Sequence, residues 1–236
     1  MATIRKHIPN IITCLNLFSG CIACVMAFDA NYLMAAVFIF IAAILDFLDG
    51  LVARMLHAYS PIGKELDSLA DCISFGLAPG IIMFSLLSIK FSYNDVPFFL
   101  ADYIPYIAFV IPVFSALRLA KFNVDERQTT SFIGLPTPAN AIFWASFAYS
   151  LPAHFLQHGI SVILLILIFS YLLVSELPMF SLKFENLKWK DNAVRYIFIA
   201  LAFIILVFGL QFLYLVIVLY ILMSVVMMFA CKNQNV

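Results

Sequence analysis

Apolar runs of bilayer length recur along this chain, and they leave it few ways to fold. Runs of about 20 predominantly apolar residues are separated by short polar breaks or by breaks containing proline and glycine. In lipid every backbone donor and acceptor must be satisfied within the protein, so such runs fold as helices. Composition agrees: 65% of residues are hydrophobic, 11% are charged and the mean hydropathy is +1.07. A soluble domain is about half apolar and about a quarter charged. The expected fold is all-α, a polytopic membrane helix bundle of about eight transmembrane helices forming a single domain over residues 1–236.

The expected spans are Ile11–Phe28, Tyr32–His57, Lys64–Ile89, Tyr103–Leu119, a fifth from Pro136 or Pro138 to about Phe155, Ile160–Ser175, Ala193–Gly209 and Gln211–Cys231. Asp29–Asn31 reads as a tight turn, and Pro61 breaks the chain between the second and third spans. Lys90–Asp102, the stretch from Lys121 onward and Lys183–Arg195 read as polar or charged loops. Arg5 and Lys6 precede the first run as in a signal peptide, but that run is longer than a signal core and reads as an uncleaved span. An even number of spans puts both termini on one side. Arg5, Lys6, Arg54, Lys64, Arg118, Lys121, Arg127, Lys183, Lys188, Lys190, Arg195 and Lys232 fall on that side, and of the thirteen basic residues only Lys90 falls opposite. The positive-inside rule then makes the N- and C-termini cytoplasmic.

Five cysteines are present, and Cys21 and Cys24 form a C-x2-C pair. The pair lies inside an apolar run with no second pair, so it reads as packing rather than as a zinc or redox site. Formal net charge is zero, and no basic stripe interleaved with aromatics points to nucleic acid.

The chemistry concentrates between Asp46 and Asp71, in DFLDGLVARMLHAYSPIGKELDSLAD. Asp46 and Asp49 are three apart, and Asp67 and Asp71 are four apart. On helices each pair shares one face, about one turn apart. Four aspartates at membrane depth are costly unless compensated, and Arg54 and Lys64 are the only cations in the stretch. The helical hairpin of about residues 32–89 brings the two pairs together. Mutually repelling carboxylates facing one cavity favour a divalent cation such as Mg²⁺, Mn²⁺ or Ca²⁺. Two such ions could clamp a diphosphate.

The stretch fits D-x2-D-G-x2-A-R-x8-G-x3-D-x3-D at every fixed position. It resembles the signature of the CDP-alcohol phosphatidyltransferase family. The resemblance implies a CDP-linked lipid as donor, divalent metal (Mg²⁺ or Mn²⁺, two ions) and a homodimer in the cytoplasmic membrane with its site facing the cytoplasm. It implies metal ligation by Asp46, Asp49, Asp67 and Asp71, with Asp71 also the general base that deprotonates the acceptor alcohol. It places Asp49, Gly50, Ala53, Arg54 and Gly63 on the nucleotide side. Asn10, Thr13 and Ser60, polar residues at the same membrane face, become nucleotide contacts by the same resemblance, with helix capping as their alternative reading.

The aspartate motif does not separate the acceptors that the family uses. Two further stretches, Arg118-Leu-Ala-Lys-Phe-Asn123 and Phe132-Ile-Gly-Leu-Pro-Thr-Pro138, are similar to sequences of integral-membrane phosphatidylserine synthases. They imply CDP-diacylglycerol and L-serine as substrates, with Arg118 on the serine carboxylate and Lys121 and Asn123 completing the pocket. The alternatives are a sister transferase using glycerol 3-phosphate or inositol phosphate, and a cation-coupled transporter. The transporter would explain buried acids but not the fixed D-G-x2-A-R spacing.

Overall fold

The structure is a computed structural model that describes residues 2–90, 101–125, 132–150, 159–180 and 188–234. Among these residues the chain forms eight helical rods. The first two are α1 (Ala2–Phe28) and α2 (Tyr32–Met55). The third rod joins α3 (Pro61–Asp71), a π-helical segment (Cys72–Leu77) and α4 (Ala78–Lys90) without a break. The fourth is a 3₁₀ turn (Ile104–Phe109) running into α5 (Val110–Val124). Then come α6 (Thr137–Ser150), α7 (Gly159–Val174), α8 (Trp189–Val207) and α9 (Leu213–Gln234).

Five rods are long and apolar enough to cross a membrane: His7–Phe28, Tyr32–Met55, Pro61–Ile89, Ile104–Val124 and Leu210–Phe229. Residues 159–174 and 192–207 form shorter apolar helices. The all-α membrane bundle read from hydropathy is therefore the observed architecture, and the protein is an integral membrane protein. Most of the Lys90–Asp102 loop, Arg127, the end of the fifth span and the loop around Lys183 lie outside the described residues.

Local sequence explains the breaks. Asn31 caps α2, its Oδ1 accepting from Met34 N at 3.2 Å. Ser60 caps α3 by accepting from Gly63 N at 3.0 Å, and Pro61 occupies the first turn, where its missing N–H leaves nothing unsatisfied. Two expected loops are helical. The stretch Lys121–Val124 continues α5, because its polar side chains and carbonyls find partners on α3 and beyond α7. Residues 189–195 belong to α8, where Asn192 Nδ2 donates to Lys188 O at 3.0 Å.

The rod of residues 61–90 is central. It touches α1 on one side and α5 and α6 on others. Ile82, Met83, Leu86 and Leu87 are fully buried around it, while Phe18, Phe47 and Phe203 point outward from other helices. Lipid is as apolar as these side chains, so helix association rests on close packing and interhelical hydrogen bonds. Ala23, Ala27, Ala35, Ala36 and Ala42 are buried on the hairpin of α1 and α2.

Gly20 of α1 sits directly on the π-helical segment, and a Cβ there would lie 2.7 Å from Ser74 Cα. Ser74 Oγ donates across this seam to Asn16 O at 3.0 Å. Gly20→Val is expected to lower stability in detergent by about 1–3 kcal/mol, because backbone cannot yield as a flexible side chain does. Thermal unfolding beside Phe18→Val, on the lipid face, checks this; equal melting temperatures for the two variants would show that the seam tolerates bulk.

One small element escapes the helical pattern. β1 (Phe132–Ile133) pairs antiparallel with β2 (Pro178–Met179), in register Phe132 to Met179 and Ile133 to Pro178. Gly134 follows with φ of 76°, and a Cβ there would meet Leu173 O at 2.6 Å. Leu135 N donates to Leu172 O at 2.9 Å. This clasp fixes the start of α6 against the end of α7, which sets the position of Thr137.

Candidate active site

Three helices build the acidic centre. α2 supplies Asp46 and Asp49 from its last turns, and α3 supplies Asp67 and Asp71. One carboxylate oxygen each from Asp46, Asp49 and Asp67 lies within 4.8 Å of the others. α1 packs against both helices and contributes hydrogen bonds. Thr13 Oγ1 donates to Asp49 Oδ2 at 2.6 Å, and Asn16 Nδ2 donates to Asp71 Oδ1 at 3.3 Å. Asp71 stands one helical turn beyond Asp67, buried, at the last α-helical position before the π-helical segment. It remains within electrostatic reach of Asp46, Asp67 and Asp49.

The residues fit a divalent cation. Three carboxylates converge in a partly buried site where their repulsion is poorly screened, and Asp67 Oδ1 is buried without a hydrogen-bond partner. All the donors are hard oxygens, which suit Mg²⁺ or Mn²⁺.

Above the cluster opens a cavity of about 520 Å³. Its lining includes Asn10, Thr13, Asp49, Gly50, Ala53, Ser60, Gly63 and Asp67. Thus seven of the eight residues expected on the nucleotide side share one wall. Arg54 is the exception: its Nε donates back to Gly50 O at 3.0 Å and its side chain is exposed. Gly50 matters because nothing lies within 4 Å of where its Cβ would be, so any side chain there would project into the open cavity. Gly63 is tighter, since its Cβ would meet Asn10 Oδ1 and Ser60 Oγ at 3.0 Å. Both readings of Ser60 are compatible with its position, for it caps α3 and also lines the cavity.

The three residues expected around serine are placed differently from one another. Arg118 is buried, its Nη1 donating to Thr137 Oγ1 at 3.4 Å and its guanidinium 5.0 Å from the Phe122 ring centroid. It lies within electrostatic reach of Asp71 and Asp46. Lys121 pairs with Glu176 at 2.6 Å. Asn123 Nδ2 donates to Ser68 Oγ at 2.8 Å, and its carbonyl accepts from Lys64 Nζ at 3.1 Å. Arg118 therefore faces the aspartates, while Lys121 and Asn123 tie α5 to its neighbours.

Sequence reasoning missed Asn16 and Lys64. Lys64 lines the cavity beside Asp67. Asn16 carried a signal, because Asn10, Thr13 and Asn16 recur every three residues in an apolar run and so share a helix face.

The sequence pattern of the CDP-alcohol phosphatidyltransferases matches residues 6–175, which takes in the acidic hairpin, the cavity and Arg118. The chain belongs to the CDP-alcohol phosphatidyltransferase family. Within this family it is similar to the CDP-diacylglycerol–serine O-phosphatidyltransferase of Bacillus subtilis, 35% identical over 133 residues that cover 56% of this chain and 70% of that protein. It is 35% identical to the enzyme of the same name from Helicobacter pylori over 136 residues, 57% of this chain and 54% of that one. It is 32% identical over 168 residues to the archaetidylserine synthase of Methanothermobacter thermautotrophicus, 67% of this chain and 66% of that one. The matched region thus spans between about half and about two thirds of the length of these relatives. Of the fixed residues of D-x2-D-G-x2-A-R-x8-G-x3-D-x3-D, Asp46, Asp49 and Asp67 converge, and Asp49, Gly50, Ala53, Gly63 and Asp67 line the cavity.

Proposed function

We propose that this protein transfers the phosphatidyl group of CDP-diacylglycerol to the hydroxyl of L-serine, giving phosphatidylserine and CMP. The observation that carries the reading is an acidic cluster between a cavity walled by the nucleotide-side residues and a buried arginine. The names of the relatives support serine as acceptor. Residues 1–236 act as one domain, as a homodimer in the cytoplasmic membrane.

In this reading Asp46, Asp49 and Asp67, with Asp71 at the edge, hold divalent metal, Mg²⁺ or Mn²⁺, as two ions. Bound metal would neutralise the diphosphate and the charge that develops on the leaving CMP. The nucleotide enters the cavity beside Gly50, Ala53 and Gly63, with Asn10, Thr13 and Ser60 as polar contacts and Arg54 at its mouth. The acyl chains lie between helices. Asp71 accepts the proton of the serine hydroxyl, whose oxygen attacks the lipid-side phosphorus as the bond to CMP breaks. Asn16 holds the Asp71 carboxylate in place, and Arg118 holds the serine carboxylate, with Lys121 and Asn123 framing that side. An acceptor carrying a phosphate calls for a denser basic pocket; of Arg118, Lys121 and Arg127, which could supply one, Lys121 is paired with Glu176 and Arg127 lies outside the described residues.

An acceptor screen tests the reading. Purified protein with CDP-diacylglycerol and Mn²⁺ or Mg²⁺ is expected to release CMP with L-serine, and not with glycerol 3-phosphate or inositol phosphate. CMP release with a phosphate-bearing alcohol alone would replace serine.

The sidedness follows from the basic-residue split. Glu65→Cys, at an exposed position on α3, is expected to resist a membrane-impermeant maleimide on intact cells, while Asp29→Cys, in the turn between α1 and α2, is labelled. The reverse pattern would invert the topology.

A further inference from the structure

The second set of buried polar groups lies behind the aspartates, where α5, α6 and the π-helical segment meet. Arg118 is buried, and its Nε has no hydrogen-bond partner. Asn140, fully buried on α6, has an Nδ2 that is likewise without a partner. Thr137 links the two: it accepts from Arg118 and lies three residues before Asn140, on the same face of α6. Trp144 Nε1 donates to Asn140 Oδ1 at 3.1 Å, so the acceptor end of that amide is taken and the donor end is turned elsewhere. Ser115, one turn before Arg118, is fully buried against Gly76 with its hydroxyl also unpartnered.

Unpartnered donors inside a membrane protein are costly, and lipid cannot accept a hydrogen bond from them; the Phe122 ring stacks on the Arg118 guanidinium without satisfying its Nε. A cluster with one fixed positive charge and spare N–H groups is complementary to an anionic oxygen pair. Arg118 also lies within electrostatic reach of Asp71, so a ligand bound there is close to the acidic centre.

We propose that Asn140 is a specificity-determining residue of the acceptor site: its Nδ2, together with Arg118 Nε, binds the carboxylate of the amino-acid acceptor. Trp144 is a positioning residue that orients the amide. This deepens the serine reading and rests on it. It moves the far wall of the acceptor pocket from the end of α5 to α6. The pocket then reads the carboxylate with two donors from different helices, while the hydroxyl points toward Asp71. A site built to pair a polar group rejects analogues that lack it, because its own donors are then left unsatisfied.

The test measures KM for L-serine and for CDP-diacylglycerol in wild type, Asn140→Ala and Asn140→Asp, with serinol as an acceptor that lacks the carboxylate. Asn140→Ala is expected to raise the serine KM about 10-fold, the loss of one hydrogen bond to a charged group. Asn140→Asp, which sets carboxylate against carboxylate, is expected to raise it at least about 100-fold. In both variants the CDP-diacylglycerol KM and the slow turnover of serinol stay within about twofold of wild type. Trp144→Phe is expected to raise the serine KM by less than Asn140→Ala does. An unchanged serine KM in Asn140→Asp, or equal losses with serine and serinol in Asn140→Ala, would overturn the assignment while leaving the serine reading intact. Wild-type protein that turns over no serine at all would sink the serine reading itself.

Discussion

Asp46→Asn and Asp67→Asn are each expected to lower CMP release by at least about 10²-fold, because each removes one of three converging charges that, in the proposed reading, would hold the cation stabilising the reacting diphosphate. Asp49→Asn should behave similarly, with an added effect: Thr13 Oγ1 donates to Asp49 Oδ2, so the amide can present the wrong group to it. Glu65→Gln is the control. It removes an exposed carboxylate from α3, the helix that carries Asp67, and should leave turnover near wild type. Excess EDTA should abolish activity, and Mn²⁺ should restore it. Binding of Mn²⁺ followed by its magnetic resonance signal gives a readout independent of turnover, and it should weaken in each of the three asparagine variants. Full activity in excess chelator would exclude the metal-dependent reading, whatever the variants did.

The second large effect is expected at Asp71. Asp71→Asn should reduce turnover by about 10²–10⁴-fold, the usual contribution of a positioned base, while CDP-diacylglycerol binding stays measurable. The geometry separates this residue from the other three. It is not among the three carboxylates that converge, and its carboxylate accepts from Asn16 Nδ2 at 3.3 Å. Asn16→Ala should then lower kcat by a smaller factor with little change in either KM, since it frees the carboxylate to rotate without removing it. Normal turnover in Asp71→Asn would refute the base assignment. Some loss of Mn²⁺ affinity is expected because Asp71 borders the metal site; a loss as large as in Asp67→Asn, with turnover restored by excess Mn²⁺, would leave Asp71 a ligand and not the base.

The sequence and the structure agree best where helical periodicity carries the message. Asp46 and Asp49 three apart, and Asp67 and Asp71 four apart, had to share faces, and a proline break between them had to fold the two helices together. The cavity-lining residues Asn10, Thr13, Asp49, Gly50, Ala53, Ser60 and Gly63 follow from the resemblance to the family motif rather than from periodicity. Arg118 was singled out as a basic residue near a helix end, but its burial against Thr137 and Phe122 depends on long-range packing that no local pattern states. Lys121–Val124 and Trp189–Arg195 looked like loops because polarity was weighed over periodicity, and tertiary partners keep both stretches helical. The strand pair Phe132–Ile133 with Pro178–Met179 is too short for alternation to register. Asn140 was invisible for a different reason: an asparagine at the start of a proline-led helix looks like ordinary capping chemistry until its burial is seen.

The π-helical segment gives the central rod two independent phases. α3 is timed to the cavity and its carboxylates, whereas α4 is timed to the buried face formed by Ile82, Met83, Leu86 and Leu87. Between them, Cys72–Leu77 takes up the offset that a uniform α-helix of the same length would impose. Adding one residue to this segment would leave the apolar character of the rod intact. It would rotate one half of the rod against the other by about 100°. With α4 locked into the bundle, Asp67 and Asp71 would swing away from Asp46 and Asp49. The outcome would be a folded, correctly inserted and inert protein, in which a single extra residue acts as a timing error rather than as a lost side chain.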